Sequence, residues 1–290
     1  MFETWRFKID ALSQLRGHRL VPALIILFYM AIRNVMVLQY AAFTPDSEAL
    51  LGYSAEFFRY WDFSFPSLGG MFPAVGNRAG ILVCMGILVS LITAAIQIAL
   101  YRYFLAFSTS SAATGFPVFL DGLVFWGKSI LGSVYLALRM IAWSLLLIPL
   151  FGLFAALESV LGWRIIMAAL FPAGIGLWGF LYFYKYLSYS QMFFVLAEYP
   201  QVGVRKALKT SALITQGCRG HLFLLLLSFL GWEILCLFTA GIGFLFLHPY
   251  LFTTQANAYK FLKTRAFKAG ILVPRAAPPP PEEPIRIEEA

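Results

Sequence analysis

The chain has little charge for its length. Only 12% of its 290 residues are charged and 60% are hydrophobic, and the mean hydropathy is +0.77. A soluble domain carries about 25% charged residues, so this composition excludes an ordinary soluble domain. It predicts an integral membrane protein that lies in the lipid bilayer.

Cysteine is also scarce, and the motifs of common metal and hydrolase sites are missing. Cys84, Cys218 and Cys236 form no CxxC pair and lie in or beside apolar segments. The three histidines are widely separated, and no HExxH or GxSxG pattern occurs. We therefore expect no disulfide framework, no metal site and no cofactor.

Two glycine patterns match nucleotide-binding motifs without the context that those motifs need. Residues 122–129 match GxxxxGK[ST], but the four residues after Gly122 are bulky and apolar, and the stretch is amphipathic. Residues 174–179 match GxGxxG inside an apolar segment with no βαβ unit. We interpret the first, in preference to nucleotide binding, as an interfacial helix with a snorkelling Lys128. The second is interpreted as a surface that another helix approaches closely.

Six apolar segments are long enough to cross about 30 Å of hydrocarbon at about 1.5 Å per residue. They run approximately over 20–42, 80–107, 130–151, 165–187, 222–240 and 243–262. The predicted fold is therefore an all-α bundle of six transmembrane helices at 20–268. A cytoplasmic amphipathic segment at 1–19 precedes it, and a disordered, proline-rich cytoplasmic tail at 269–290 follows it.

The distribution of basic residues predicts the orientation of the bundle. Most of the 22 Lys and Arg residues fall in the N-terminal segment, in the second and fourth connections and at the C-terminus. The opposite side holds only Arg59, Arg78 and Arg164, while Arg33 and Arg139 lie within spans. By the positive-inside rule both termini face the cytoplasm. Because the charge collects at the ends of apolar segments, the net charge of +8 does not indicate nucleic-acid binding.

The sequence also repeats a pattern three times. A tyrosine, a basic residue, an aromatic residue and an apolar residue follow one another at 101–104, 184–187 and 259–262. Each odd-numbered span is preceded by an amphipathic stretch that ends at glycine, at 7–17, 118–127 and 204–217. The pattern predicts three parallel helical hairpins around an axis along the membrane normal. The alternative is that aromatic belts and positive-inside charge place such pairs at any cytoplasmic boundary.

The C-terminal third carries the most specific residues, namely Gly231-Trp232, Gly241, Gly243 and Pro249-Tyr250. With these residues the chain resembles a bacterial integral-membrane family catalogued as domain of unknown function 975, well over about 120–262 and weakly over the first third. The resemblance implies a multi-pass protein of a bacterial membrane, here assigned to the cytoplasmic membrane, and it carries no established activity. Gly241 and Gly243 permit a tight turn between spans five and six, and Pro249 predicts a kink in span six.

Ionisable residues inside the spans are the candidate functional residues, because a charge in hydrocarbon normally pairs or faces water. Arg33 and Glu233 both lie about 18 to 20 Å from the cytoplasmic ends of their spans, and His248 falls in the same outer half. We predict that the three form a buried polar cluster lining a cavity open to the outer leaflet. The alternative is a structural ion pair that holds spans one and five together.

Two further segments have alternative interpretations. The aromatic connection at 43–79, with a possible helix at 47–61, is either a ligand lid or an interfacial helix, and we favour the interfacial helix. Basic residues after the last span either hold anionic lipid headgroups or only set the topology. They are Lys260, Lys263, Arg265 and Lys268.

No motif assigns a reaction. We favour a non-enzymatic accessory or scaffold protein whose cytoplasmic helices and proline-rich tail recruit a membrane or cytoplasmic protein partner. Transport or handling of a lipid or small amphiphile is the alternative, based on the buried cluster and the aromatic connection. An intramembrane enzyme, with Glu233 and His248 as acid and base, is a third and less favoured hypothesis.

Overall fold

The computed structural model describes residues 3–43, 78–110, 114–149, 152–153, 164–239 and 241–271, and its regular elements over these ranges are helices. The predicted all-helical fold is thus confirmed for this part of the chain. The connection at 43–79 lies almost entirely outside the described residues, as does the tail beyond residue 271. Ten helices are numbered here in chain order: α1 Thr4–Leu15, α2 Leu20–Phe43, α3 Arg78–Thr109, α4 Phe116–Leu123, α5 Trp126–Ser144, α6 Arg164–Tyr189, α7 Met192–Glu198, α8 Val204–Ile214, α9 Arg219–Phe238 and α10 Phe244–Lys268.

Several of these helices have the length and apolarity of membrane spans. Three stretches within the described residues are long and apolar enough to cross a bilayer: Gly86–Thr109, Trp126–Pro149 and Arg219–Cys236. The pair α1 and α2, which meets at a bend of 104°, makes a fourth if it is counted as one broken span. Length and composition therefore indicate a helical membrane protein, with three or four of the six predicted spans supported.

The long helices contact one another in a closed order. α2 packs on α3, α3 on α5, α5 on α6, α6 on α9, α9 on α10, and α10 returns to α2. α3 and α10 also contact each other. Helices that are neighbours in the chain are therefore neighbours in the bundle, and the last long helix closes against the first.

Two of the three short amphipathic helices pack on the long helix that precedes them in the chain, and the first packs on the last long helix. α4 contacts α3, α8 contacts α6 and α7, and α1 contacts α10. α1 buries Phe7, Ala11 and Leu15, and the amide of Gln14 bonds to Asn257 of α10. The N-terminal helix is thus held against the C-terminal one.

Glycine ends two of these short helices in the same way. Gly17 follows α1 with a φ of 84°, and Gly217 follows α8 with a φ of 76°. This left-handed conformation favours glycine, which has no Cβ to clash. Gly127, the third glycine of the sequence pattern, instead lies in the first turn of α5. The second of the three sequence repeats therefore differs from the other two in the conformation at its glycine.

The P-loop-like stretch packs helices together. A Cβ built at Gly122 of α4 would lie 2.5 Å from the Cα of Ala99 in α3, so only glycine permits this close approach. The Ser129 hydroxyl accepts a hydrogen bond from the Ile98 amide at 3.0 Å and donates one to the Ala94 carbonyl. At Gly176 and Gly179 of the GxGxxG pattern, by contrast, a Cβ would meet nothing within 4 Å. The predicted close approach of another helix is therefore wrong at these two glycines within this chain.

Aromatic rings fill the centre of the bundle where α3, α7 and α10 meet. The Phe194 ring lies 4.7 Å from that of Tyr101 and 5.3 Å from that of Tyr259, centroid to centroid. The rings of Phe104 and Phe252 stack at 5.2 Å. Phe104 and Phe194 are fully buried, and the other three are nearly so. We call these five residues the aromatic centre.

Two copies of the repeated tyrosine pattern contribute to this centre and one does not. Tyr101 and Tyr259 are buried there, whereas Tyr184 is exposed. In the second hairpin α6 ends at Tyr189, and the separate helix α7 supplies Phe193 and Phe194. The break between α6 and α7 therefore changes which residues of this hairpin face the centre.

Candidate functional site

A cavity of about 110 Å³ lies beside the aromatic centre, between α6, α9 and α10. We call it the lateral cavity. Its wall is mostly apolar and comes largely from leucines of α9. Seven of the lining residues are nevertheless polar. They are Tyr101, Tyr186, Ser190, Gln191, Glu233, His248 and Gln255.

Two of the three predicted cluster residues line this cavity. Glu233 of α9 is 7% exposed and contributes to the same wall as His248 of α10. Arg33 of α2 is not among the lining residues, but its positive charge acts on the His248 ring. The Arg33 guanidinium also lies 3.4 Å from the Tyr29 hydroxyl, to which it donates a hydrogen bond. The structure thus brings Glu233 and His248 to one cavity and places Arg33 within electrostatic range of it.

Gln191 is one of the polar lining residues that sequence reasoning missed. It lies in the two-residue break between α6 and α7 and is only 3% exposed. Its amide nitrogen donates to the Ser190 hydroxyl at 3.0 Å, and that hydroxyl donates to the Leu187 carbonyl at 2.9 Å. The side-chain carbonyl oxygen of Gln191 has no hydrogen-bond partner in the protein.

A serine from α8 holds this break in place. The Ser211 hydroxyl accepts a hydrogen bond from the Gln191 backbone amide at 3.2 Å and donates one to the Ser188 carbonyl at 2.9 Å. It therefore satisfies backbone groups that an unbroken helix would have paired internally. The polar run 188–191, which interrupts an apolar segment, was the sequence signal that could have revealed both the break and the cavity wall.

Two of the lining residues each have a buried side-chain atom with no hydrogen-bond partner within the protein. The two atoms are the Gln191 Oε1 and the His248 Nδ1. Among the described residues, only Tyr103 and Arg219 have further buried side-chain atoms in this condition. An unsatisfied buried acceptor or donor costs about 1 to 3 kcal/mol. These two atoms are closed off from the cavity space as well as unpartnered, so they lower the stability of its wall.

The lateral cavity reaches the outside of the bundle between α6 and α9. Phe223 and Leu227 of α9 line it and are also 39% and 43% exposed. Phe183 of α6 faces Phe223 across this side, with ring centroids 5.6 Å apart in an edge-on arrangement. Both phenylalanines and the leucine are apolar, so this side is suited to lipid chains.

The family-signature glycines surround the turn that joins α9 to α10. Gly241 has a φ of 86°, which favours glycine. A Cβ at Gly243 would lie 2.6 Å from the Cys236 sulfur. The Thr239 hydroxyl accepts a hydrogen bond from the Gly243 amide at 3.0 Å. Because α9 ends at Phe238 and α10 begins at Phe244, the hairpin closes with a very short connection.

The remaining signature residues lie on α9 and α10. A Cβ at Gly231 would meet nothing within 4 Å, and Trp232 is 57% exposed. Pro249 lies inside α10, which continues through it, one position after His248. The Tyr250 ring packs edge-on against Phe229 at 5.1 Å. None of these four residues lines the lateral cavity, whereas His248, which precedes Pro249, does.

A second polar cluster lies near the C-terminal end of α10. The Glu198 carboxylate accepts a hydrogen bond from the Tyr259 hydroxyl at 2.7 Å and forms an ion pair with Lys263. Burial lowers the pKa of Lys263, but hydrogen bonds to Glu198 and Tyr199 outweigh burial and leave the pKa above its ordinary value. The cluster is satisfied internally, so we regard it as a structural link between α7 and α10.

Most of the basic residues after the last span are also bonded within the protein. Lys260 donates to the Ser108 carbonyl at 2.6 Å, Lys263 pairs with Glu198, and Arg265 donates to the Gln216 carbonyl at 3.0 Å. Lys268 is exposed. Three of these four residues therefore form hydrogen bonds or an ion pair that connect α10 to other elements.

No cluster of three or more His, Cys, Asp or Glu residues that could hold a metal ion occurs among the described residues. The chemistry that the lateral cavity offers is hydrogen bonding and charge, from a carboxylate, an imidazole and amides, beside an apolar wall.

Comparison with known proteins identifies the family. The family model described as "Protein of unknown function (DUF975)" matches residues 11–266. The chain belongs to the DUF975 family. The resemblance inferred from the C-terminal residues is thereby confirmed, and the DUF975 match extends over the first third of the chain as well. All residues that line the lateral cavity lie within it. No curated protein and no solved structure matches the chain.

Proposed function

We propose that this protein is a non-enzymatic accessory protein of a bacterial cytoplasmic membrane that holds a small amphiphile in its lateral cavity. The observation that carries the proposal is a cavity whose inner wall includes the polar residues Gln191, Glu233 and His248 and whose outer side is apolar and exposed. An amphiphile combines a polar end with an apolar chain and so matches both sides.

The proposal includes six spans arranged as three parallel hairpins, with both termini in the cytoplasm. Three observations support it: the closed packing order of the six long helices, the packing of α4 on α3, α8 on α6 and α1 on α10, and the left-handed glycines after α1 and α8. The clustering of Lys and Arg at one side of the predicted spans supports the orientation.

The filled aromatic centre favours entry of a bound molecule from the side of the bundle over passage along its axis. Five closely packed rings occupy the place where α3, α7 and α10 meet. A conduit along that axis would require these rings to separate, which would cost their packing contacts. Binding from the side of the bundle needs no such change, and it is therefore the route that we propose.

In this proposal Arg33, Glu233 and His248 form the buried polar cluster of the lateral cavity. Glu233 and His248 share its wall, and Arg33 acts on His248. The opposite charges of Arg33 and Glu233 would limit the cost of keeping either charge in hydrocarbon. If Arg33 and Glu233 formed only a structural ion pair between α2 and α9, substitution of Glu233 would not change the amount of bound molecule.

Native mass spectrometry of protein extracted gently from its own membrane tests the proposal. Wild type and Glu233→Gln are compared, with Asp121→Asn on the exposed face of α4 as a matched control. We expect an amphiphile to remain on wild type and on Asp121→Asn and to be lost from Glu233→Gln. A bare chain in all three, or equal retention in all three, would contradict the proposal. A protein partner retained without any amphiphile would instead favour a scaffold.

A further inference from the structure

We propose that the exposed basic face of α8 is a docking surface for the acidic C-terminal segment of the same chain, and that Glu282 and Glu283 bind there. The proposal is independent of the lateral cavity and goes beyond the proposed function. It rests on the charge of the face, on the position of the end of α10 and on the length of chain between the two.

The outward face of α8 carries three basic side chains close together. Arg205, Lys206 and Lys209 are exposed and lie within about 100° of one another around the helix axis, at about 3.6 residues per turn. Among the described residues, none forms a hydrogen bond or an ion pair with these three side chains. The same face continues to Leu213 and Gln216, which are also exposed. It therefore offers a concentration of positive charge followed by an apolar position.

This face differs from the outward faces of the other two short helices. α1 exposes Trp5 and Ile9, and α4 exposes Phe116 and Leu120, which are apolar and suit a lipid interface. A helix that binds at a membrane surface inserts its apolar face into the lipid. The apolar face of α8 is already buried against α5, α6, α7 and α10. We therefore favour an acidic segment of protein over the membrane surface as the occupant of the basic face.

The end of α10 brings the C-terminal segment to α8. The Arg265 guanidinium donates a hydrogen bond to the Gln216 carbonyl at 3.0 Å, so the last part of α10 lies at the C-terminal end of α8. Residues 272–290 follow, outside the described part of the chain, and their sequence is a proline-rich run and then Glu282 and Glu283. A tethered segment meets a nearby surface at an effective concentration on the order of millimolar. This gives it an advantage over a separate acidic protein.

The proline-rich run is long enough to bring the two glutamates over the basic side chains. α8 measures about 16 Å from Arg205 to Gln216, and the chain from Arg265 to Ile271 adds about 9 Å at the helical rise. A polyproline segment advances about 3.1 Å per residue, so residues 272–281 span up to about 31 Å. The available length therefore exceeds the distance to be covered.

Photocrosslinking from the basic face tests the proposal in the full chain. p-Benzoylphenylalanine replaces Leu213, which is 42% exposed, in nanodiscs of phosphatidylcholine alone and in nanodiscs that also contain phosphatidylglycerol. Monomeric protein is isolated by gel after irradiation, and cross-linked peptides are identified by mass spectrometry. We expect adducts between position 213 and residues 272–290 in both kinds of nanodisc. The matched control position is Leu120 of α4, which is 48% exposed and should give lipid adducts.

Charge reversal in the C-terminal segment connects these adducts to the two glutamates. Glu282→Lys combined with Glu283→Lys should lower the yield of adduct at position 213 by about fivefold, because attraction between exposed charges becomes repulsion. Glu288→Lys combined with Glu289→Lys makes the same change further along the segment and should lower the yield much less. Raising the salt from about 50 mM to about 500 mM should also lower the wild-type yield, since salt screens exposed pairs.

A complementary reversal on α8 tests the other side of the contact. Arg205→Glu combined with Lys209→Glu should lower the yield alone and restore it when Glu282→Lys and Glu283→Lys are also present. If the α8 variant does not fold, Glu282→Gln combined with Glu283→Gln keeps the test decisive, because these residues lie outside the helices that the structure describes.

Several results would overturn the proposal. Lipid adducts at position 213 in place of adducts to residues 272–290 would assign the basic face to the membrane surface. Adducts found only between two chains would assign it to a contact between copies. The proposal also fails if no adduct to residues 272–290 forms, or if reversal at Glu282 and Glu283 costs no more than reversal at Glu288 and Glu289.

Discussion

The aromatic centre and the lateral cavity lie side by side and draw on the same helices, yet they are opposite in character. The centre is buried, filled and built from closely packed rings. The cavity is open at one side, and its lining residues include a carboxylate, an imidazole and a side-chain amide. Tyr101 belongs to both, since its ring packs on Phe194 and also lines the cavity.

This contrast separates the residues that stabilise the bundle from those that we propose bind a ligand. A filled core loses contacts when a ring is removed, and therefore loses stability. A cavity wall with unsatisfied polar atoms already costs stability, so its substitution should affect binding far more than folding. Each prediction below compares a position with a matched control.

Removal of a ring from the aromatic centre should have the largest effect on stability. Phe194→Ala leaves a void between Tyr101 and Tyr259, and we expect the free energy of unfolding to fall by about 2 to 4 kcal/mol. Steric trapping in bicelles measures this quantity. The control is Phe180→Ala on the exposed face of α6, which should change little. Equal losses at both positions would show that the rings do not form the core.

Gly122→Ala should destabilise the contact between α3 and α4. The new methyl group would meet backbone at Ala99, and we expect a loss of about 1 to 3 kcal/mol. Gly179→Ala, where a Cβ meets nothing within 4 Å, should be neutral or slightly stabilising because alanine favours a helix. If thermal unfolding in detergent ranks the two variants in the reverse order, the close packing of α4 is wrong.

The Glu198–Lys263 pair should contribute less, because both side chains are partly exposed. A double-mutant cycle of Glu198→Gln and Lys263→Met is expected to give a coupling energy of about 1 kcal/mol. The raised pKa of Lys263 means that this stabilisation is present at neutral pH. It is lost only as the pH rises through a value above 10.5. A coupling of zero at pH 7 would contradict a structural role for the pair.

Gln191→Leu should have the smallest effect on folding. It removes a buried acceptor that has no partner together with one hydrogen bond to Ser190. These two effects oppose each other, so the free energy of unfolding should stay within about 1 kcal/mol of wild type. The matched comparison is Ser211→Ala, which removes the hydroxyl that holds the break between α6 and α7. Ser211→Ala should be clearly the less stable of the two by steric trapping. The opposite ranking would mean that Gln191, and not Ser211, supports the break.

The sequence predicted those features that depend on local physics. The helical class follows from long apolar runs, and the tight turn after α9 follows from Gly241 and Gly243. Glu233 and His248 were identifiable because charge and imidazole are costly in apolar helices. Each of these inferences needs only a residue and its immediate neighbours in the chain.

Features that depend on tertiary contacts could not be predicted. The break between α6 and α7 is held by Ser211 of α8, which lies 20 residues beyond Gln191 in the chain. The helix that begins at Arg164 therefore ends at Tyr189, the next begins at Met192, and Gln191 between them lines the cavity. Tyr184 of α6 is exposed although its counterparts Tyr101 and Tyr259 are buried, and α7 beyond the break supplies Phe194 to the aromatic centre instead.

Site-specific photocrosslinking tests most directly whether the lateral cavity holds an amphiphile. A small diazirine amino acid replaces either Leu226, which lines the cavity, or Leu224, which is exposed on the same helix and lies outside the lining. The protein is irradiated in its own membrane and the adducts are identified by mass spectrometry. We predict a distinct single-chain adduct at position 226 and bulk phospholipid at position 224. The same bulk phospholipid at both positions, or none at 226, would contradict the account.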